Sequence, residues 1–250
     1  MKNEYITITM ENIEQEHLCC AISDKKHQSG VETKKEWLKK RIQEGHVFYK
    51  KDVSGKVFIE YAPVETAWVP VIGKNYLYIY CLWVAGSYKG AGYGRFLLTH
   101  AIEDAKKKKL EGLCVITSKK KKPYLAEKKF FLAHGFQVVD EIGEYELLAL
   151  SFVGNSYPQF TESARKMSID SKKLTVYYSP QCPFTINCAK EINEYKEESG
   201  IDIDIICVDT LEKAKAMPCM FTNWATFHDG KFISNMLLNR NMIQKICSAE

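Results

Sequence analysis

Residues 88–98 read YKGAGYGRFLL: a lysine and three glycines within six positions, then an abrupt change to apolar side chains. Upstream stands NYLYIYCLWVAG (75–86), a β-rich run more continuous than alternating, which predicts a central strand buried on both faces. Downstream, Leu98, Ala101, Ile102 and Ala105 fall at i, i+3, i+4 and i+7, the spacing of one helical face. The glycines therefore sit where a strand ends and a helix begins. At that junction the first helical amides have no intrahelical acceptor and the helix dipole is positive. A backbone stripped of side chains can approach an anion closely there, and a pyrophosphate is the usual guest. A plain tight turn would use one glycine for positive φ, and three at 90, 92 and 94 exceed that need. The spacing is neither the phosphate loop G-x-x-x-x-G-K-[ST] nor the dinucleotide fingerprint G-x-G-x-x-G.

Working outward, YITITM (5–10) alternates like a strand, and the segment with Ile13, His17 and Leu18 has helical spacing, as does ETKKEWLKKRIQEG (32–45). HVFYKK (46–51) and KVFIEYAP (56–63) read as strands joined by a hairpin turn at Asp52–Gly55. GLCVITS (112–118) is a buried strand, PYLAEKKFFLAHG (123–135) a helix ending at Gly135, and FQVVDE (136–141) with YELLALSF (145–152) a closing pair. That order predicts an α/β (α+β) layer with a mixed, mostly antiparallel sheet around one parallel crossover. GNSYPQFTESARKMSIDSKK (154–173) breaks the apolar periodicity with Gly, Ser, Pro and charge, and reads as a linker. The expected division is therefore 1–153, a linker at 154–173, and a second domain at 174–250.

Composition limits the function. With 250 residues, 46% apolar and 26% charged, this is an ordinary globular composition able to form two cores. No apolar run reaches the length of a membrane span. The start, MKNEYITITMENIEQEH, reads as neither a signal nor a transit peptide, so the cytoplasm is expected. Nine dispersed cysteines then predict reduced thiols, and the lack of paired C-x-x-C knuckles predicts no metal site. Residues 1–160 carry a charge of +5 and residues 161–250 a charge of −1. The basic excess suits a phosphate-bearing ligand but is too small and too interleaved to predict nucleic-acid binding. Of two lysine runs, Lys106–Lys109 closes a helix, where cations offset the dipole. Lys119–Lys122 reads equally as a solvated loop or as a site for a phosphate or acidic acceptor.

Lys89-x-x-Gly92-x-Gly94 resembles the R/Q-x-x-G-x-G/A loop of the GNAT superfamily of acyl-CoA N-acyltransferases. Val84 and Tyr88 match the end of that family's preceding strand, and FFLAHGF (130–136) resembles its FYxxxGF element. The resemblance covers roughly residues 3–152 in the right order. It implies acetyl-CoA as co-substrate, with Lys89, Gly90, Ala91, Gly92, Tyr93 and Gly94 on its pyrophosphate. It also implies that the backbone of Leu82, Trp83 and Val84 holds the pantetheine arm. There are departures: Lys89 keeps only the charge of the usual Arg or Gln, and Phe131 stands where the family often has a tyrosine acid for the departing thiolate. Tyr124 and Tyr80 are candidate substitutes, as is solvent, and each tyrosine also reads as a core aromatic with its hydroxyl at the surface. Amine acetylation needs a base as well. Glu60, Glu65 and His46 are candidates, and for either glutamate an exposed structural carboxylate is the plainer reading.

Beyond the linker, KLTVYYSPQCPFTINCAKEINEYKEESG (173–200) places Cys182 between a strand and a helix. IDIDIICVD (201–209) alternates, WATFHDGKFIS (224–234) is a hairpin turning at Asp229–Gly230, and NRNMIQKIC (239–247) closes with a helix. The order β-α-β-(short α)-β-β-α resembles the small thioredoxin-like fold, and SPQCPFT its active-site turn. Behind a GNAT domain this is similar to the YoaP-like arrangement of bacterial acetyltransferases. A helix N-terminus favours the Cys182 thiolate, and Thr185 is placed to add a hydrogen bond to it. The second thiol of a C-x-x-C pair is missing, since Thr185 occupies its place. Cys188 shares an apolar face with Ile192 and Tyr195 and reads as buried. Together these features predict an acetyl-CoA-dependent N-acetyltransferase acting on an amine of a small molecule or peptide. Its second domain would serve recognition or monothiol chemistry. A thiol-redox protein and a non-catalytic acyl-CoA or thiol sensor are the rival readings.

Overall fold

The structure, a computed structural model, describes residues 4–18, 21–22, 25–122, 124–154 and 156–248. The chain forms two compact units. The first comprises Met1–Ile22, Leu38–Ala67 and Val71–Phe160, and the second Ser23–Trp37, Trp68–Pro70 and Thr161–Glu250. Within 154–173, Gln159–Phe160 forms a short strand and Phe160 and Ala164 are buried.

In the first unit, β1 (Tyr5–Thr7), β2 (Val47–Lys51), β3 (Val57–Pro63), β5 (Tyr76–Val84), β6 (Gly112–Ser118), β7 (Gln137–Ile142) and β8 (Tyr145–Ser151) form one sheet in the order β1-β2-β3-β5-β6-β8-β7. The two-residue strands β4 (Val71–Ile72) and β9 (Gln159–Phe160) pair with each other. Only β5 and β6 run parallel, joined through helix α2 (Tyr93–Lys107); every other pair in the large sheet is antiparallel. This is the mixed, mostly antiparallel layer with one crossover that the periodicity predicts. The apolar face of α2, Leu97, Leu98, Ala101 and Ala105, packs on Ile59, Tyr61, Leu77, Ile79, Leu113, Val115 and Leu148.

Three elements depart from expectation. Residues 10–15 form turns with two separate helical bonds, Ile13 N–H to Thr9 C=O at 3.0 Å and Glu16 N–H to Asn12 C=O at 3.1 Å, rather than a continuous helix; Asn12 Oδ1 caps the first turn by accepting from Thr9 N–H at 2.8 Å. Helix α1 (Gln28–Ile42) starts four residues before the expected point and belongs to the second unit as far as Trp37. Helix α3 (Lys128–Leu132) has only five residues, since Tyr124 takes a left-handed φ of 64° and Glu127, its N-cap, is extended with ψ of 109°.

The second unit holds β10 (Leu174–Tyr178), α4 (Pro183–Ser199), β11 (Ile203–Cys207), α5 (Leu211–Lys215), β12 (Trp224–His228), β13 (Lys231–Ser234) and α6 (Arg240–Cys247). Its sheet order is β11-β10-β12-β13, with β10 and β11 parallel and the other two pairs antiparallel. The core is Leu174, Val176, Ile192, Tyr195, Ile203, Trp224 and Ile243.

Candidate active site

The β5–β6 ladder stops after three rungs, Tyr76↔Gly112, Leu77↔Leu113 and Tyr78↔Cys114. Beyond them β5 continues to Val84 beside β3 alone, with Leu82, Trp83 and Val84 opposite Ile59, Phe58 and Val57. β6 continues to Ser118 beside β8 alone. The two parallel strands therefore splay, and the β6-facing edge of Leu82–Val84 has no strand neighbour among the described residues.

The glycine loop stands at the end of β5. Gly86, Gly90 and Gly92 have φ of 61°, 79° and 81°, and a Cβ on any of them would meet nothing within 4 Å. Their freedom thus serves left-handed backbone beside open space. The first bond of α2 runs from Phe96 N–H to Gly92 C=O at 3.1 Å, which leaves the amides of residues 90–95 without a recorded acceptor among the described residues. Lys89 is exposed, and Tyr93 begins α2 with Lys51 Nζ 5.1 Å from its ring. Gly94 is different: its Cβ position lies 3.4 Å from Phe130 and 3.7 Å from Leu82, so it lets helix, strand and α3 close up.

On the sheet face opposite α2, the β3–β5 register slips between Glu60↔Cys81 and Tyr61↔Ile79, making Tyr80 the extra residue of a β-bulge. Glu60 is 1% exposed, which corrects its reading as a surface carboxylate, and its Oε1 lies 3.0 Å from His46 Nε2. The His46 ring lies 4.9 Å from that of Tyr80, which meets Tyr78 edge-on at 5.0 Å. Burial holds the Tyr78 hydroxyl well above its ordinary pKa. A carboxylate, an imidazole and a phenol therefore meet on one wall of the splayed strand. No spacing in the sequence announces this, since Glu60 and His46 lie 14 residues apart and meet only through register.

The other candidates lie elsewhere. Glu65 is exposed and accepts from Asn75 N–H at 2.8 Å, a turn-capping role. Tyr124 is exposed on the segment leading into α3, not on a helix. Phe131 is 2% exposed in the core, edge-on to Phe130 at 5.2 Å and to Phe136 at 5.1 Å. Lys119 pairs with Glu141 at 2.9 Å and Lys122 with Glu144 at 2.8 Å, so both lysines hold the β7–β8 hairpin.

In the second unit Cys182 is the N-cap of α4 and is half-buried. The Thr185 hydroxyl does not turn to its sulfur: it lies 2.7 Å from both the Ser179 and Cys182 carbonyls and donates there. The first turns of α1 rest on this cysteine-bearing turn. A Cβ at Gly30 would fall 2.8 Å from Pro183 Cα, and Lys26 pairs with Glu191 at 2.7 Å. Cys188 is buried and donates to Leu238 C=O at 3.2 Å, and burial pushes its thiol up to about 12. Burial also raises Cys207 and Cys219. Among the described residues no group of three His, Cys, Asp or Glu is placed to hold a metal ion, and no helix is long and apolar enough to cross a membrane.

Residues 10–136 match the model of the acetyltransferase (GNAT) family, and residues 202–245 match the YoaP-like model. The N-acetyltransferase YoaP of Bacillus subtilis (strain 168) is 41% identical over 244 residues, 97% of each chain. The chain belongs to the GNAT acetyltransferase family. It is an N-acetyltransferase of that family, and it carries a YoaP-like C-terminal region. Solved structures similar to this GNAT chain include the PaiA N-acetyltransferase from Thermoplasma acidophilum in complex with coenzyme A. That chain is 18% identical, with 59% of this chain and 99% of that one covered and a TM-score of 0.41. A ribosomal-protein-alanine N-acetyltransferase from Brucella melitensis is also 18% identical, with the same coverage and a TM-score of 0.42.

Proposed function

We propose that the first unit transfers the acetyl group of acetyl-CoA to an amine of a small-molecule or peptide acceptor by direct attack on the thioester. The observation that carries this reading is the splay of β5 from β6 with the glycine loop at its mouth. Amides of residues 90–94, helped by the charge of Lys89, hold the pyrophosphate. Backbone groups of Leu82, Trp83 and Val84 take the pantetheine arm as an added strand. Proximity and strand amides facing the thioester oxygen supply most of the rate. The amine proton passes to Glu60, directly or through His46, before nitrogen bonds to the carbonyl carbon. As the carbon–sulfur bond breaks, Tyr80 gives its proton to the thiolate. The contact of Tyr80 with His46 favours it over the exposed Tyr124.

The second unit is proposed to be a thioredoxin-like accessory. The parallel β10–β11 pair, the antiparallel hairpin beside β10 and the cysteine at the head of α4 support that reading. A cytoplasmic setting fits, since the seven cysteines among the described residues are thiols. The deciding assay follows coenzyme A release from acetyl-CoA across a panel of small amines and peptide N-termini. Glu60→Gln and Tyr80→Phe should lower kcat more than they raise the KM for acetyl-CoA, with Tyr124→Phe near wild type. Release no faster than thioester hydrolysis with every amine would refute acetyl transfer. Wild-type kcat in both first variants would refute the assigned roles.

A further inference from the structure

The chain has four tryptophans, and three of them fill cores: Trp37, Trp68 and Trp224 are at most 5% exposed. Trp83 is 44% exposed, although it stands on the central strand β5. Its indole makes no hydrogen bond and no ring contact among the described residues. A large ring left in water adds little to folding, and such rings are enriched where a protein binds something.

The pairing register places the indole. Leu82 and Val84 pack on the core beneath α2, so Trp83 between them points to the other face of the sheet. On that face Lys50, Phe58 and Trp83 form one row across β2, β3 and β5, and Phe48, Glu60 and Cys81 form the next. Lys50 and Phe58 are buried, so the first row opens to solvent only at Trp83. Past Trp83 comes the splay, since the last rung that β5 shares with β6 is Tyr78↔Cys114. Exposure on this face rises along β5, from the buried Tyr78 through the half-buried Cys81 to Trp83. The indole is therefore the open end of the wall that carries Tyr80, His46 and Glu60. It stands about 7 Å along the strand from Cys81, the residue opposite Glu60.

We propose that Trp83 selects the acetyl acceptor, and that this acceptor is an arylalkyl amine. Its ring stacks on the exposed indole, and its amine lies along β5 toward Tyr80 and Cys81. The inference rests on the acetyl-transfer reading given above. The indole presents a neutral π-face, which suits a ring and offers nothing to a phosphate or carboxylate. A carboxylate–imidazole pair one row away favours an amine over an acidic group at the other end of the ligand. A short alkyl spacer between ring and nitrogen spans the distance between the two rows.

Steady-state acetylation by the full chain, at saturating acetyl-CoA, tests this with phenethylamine and butylamine, which differ in the ring. The wild type should prefer phenethylamine in kcat/KM by about tenfold or more. Trp83→Ala should lose most of that preference, and Trp83→Phe, which keeps a ring, should recover part of it. Reading the ratio of the two amines cancels any effect of the substitution on acetyl-CoA. The phenylalanine variant is also the one to read if the alanine does not fold. Phe96→Ala removes an equally exposed ring from α2, on the other side of the sheet, and should keep the wild-type ratio. Equal kcat/KM for the two amines in the wild type overturns the proposal, as does a wild-type ratio in Trp83→Ala. Turnover of peptide N-termini with neither amine acetylated overturns it while leaving acetyl transfer intact. Coenzyme A release no faster than thioester hydrolysis with amines and peptides alike overturns acetyl transfer, and this proposal with it.

Discussion

Gly92 offers the sharpest test of the loop. Its φ of 81° and ψ of −3° are left-handed, and a Cβ there would meet nothing within 4 Å. A side chain at this position therefore costs only the backbone preference, about 1 kcal/mol, and no steric clash. For a chain of this size that lowers Tm by roughly 2–4 °C. Acetyl-CoA at about a hundredfold over its Kd should stabilise the wild type by about 2.7 kcal/mol. That corresponds to a rise of roughly 5–10 °C. In Gly92→Asp the new carboxylate fills the open space and repels the pyrophosphate, so the ligand-induced rise should vanish while the protein alone melts only slightly lower. Gly200→Asp is the control: its φ is 72°, its Cβ also faces open space, and it ends α4 in the other unit. It should pay the same backbone cost and keep the full rise. Thermal melts of the three proteins with and without acetyl-CoA decide the matter. A full ligand-induced rise in Gly92→Asp would refute the assignment of the loop.

Cys182 should be alkylated faster than Cys188, Cys207 or Cys219 at neutral pH, since burial raises the latter three thiols while Cys182 heads a helix. Mass-spectrometric mapping after a brief pulse checks the order, and Cys182 as slow as Cys188 would mark it as a packing residue. Cys182→Ser should leave the acetyl-CoA Kd unchanged by calorimetry, because the glycine loop belongs to the first unit. Phe131→Tyr should leave kcat no higher and lower Tm, because a hydroxyl there would enter the core without a partner, at about 1–3 kcal/mol. A rise in turnover would show instead that the side chain reaches the thioester.

Much of the first unit was legible because its decisive signals are local. The continuous apolar run, the glycines and the i, i+3, i+4, i+7 stripe lie within 31 consecutive residues, and they became β5, the loop and α2. The order of elements in the second unit was legible for the same reason, since each has its own period and its own turn. Failures came where short-range chemistry or distant register decided the outcome. Ile13, His17 and Leu18 suggested a helix, but the chain makes only capped turns there, with helical bonds at Ile13 and Glu16 that do not propagate. Thr185 followed Cys182 at the right spacing to reach a thiolate, yet backbone carbonyls nearer to its hydroxyl won. No local signal in the sequence singles out Gly30. Its reason is the backbone of Pro183, 153 positions away in the sequence.

The adjacent phenylalanines of FFLAHGF show why a motif alone could not locate the acid. In a five-residue helix two neighbouring aromatics cannot share a face, because successive side chains are turned by about 100°. Phe131 is the one that enters the core, against Phe136, and Phe130 is the one that meets Gly94 beside the glycine loop. The motif's tyrosine position is thus a core position in this chain, and the loss of its hydroxyl there follows from packing. In the proposed reaction the proton donor is instead a side chain that is not needed to fill the core. The bulge at Tyr80 supplies the means: one extra residue in β5 shifts the register against β3 and brings the phenol against His46 and the buried Glu60. Removing that extra residue would restore an even ladder and leave Leu82, Trp83 and Val84 opposite Ile59, Phe58 and Val57, on the faces they now occupy. Leu82 and Val84 would still pack on the α2 side, so the bulge sets the phenol against His46 without changing the rest of the cleft lining.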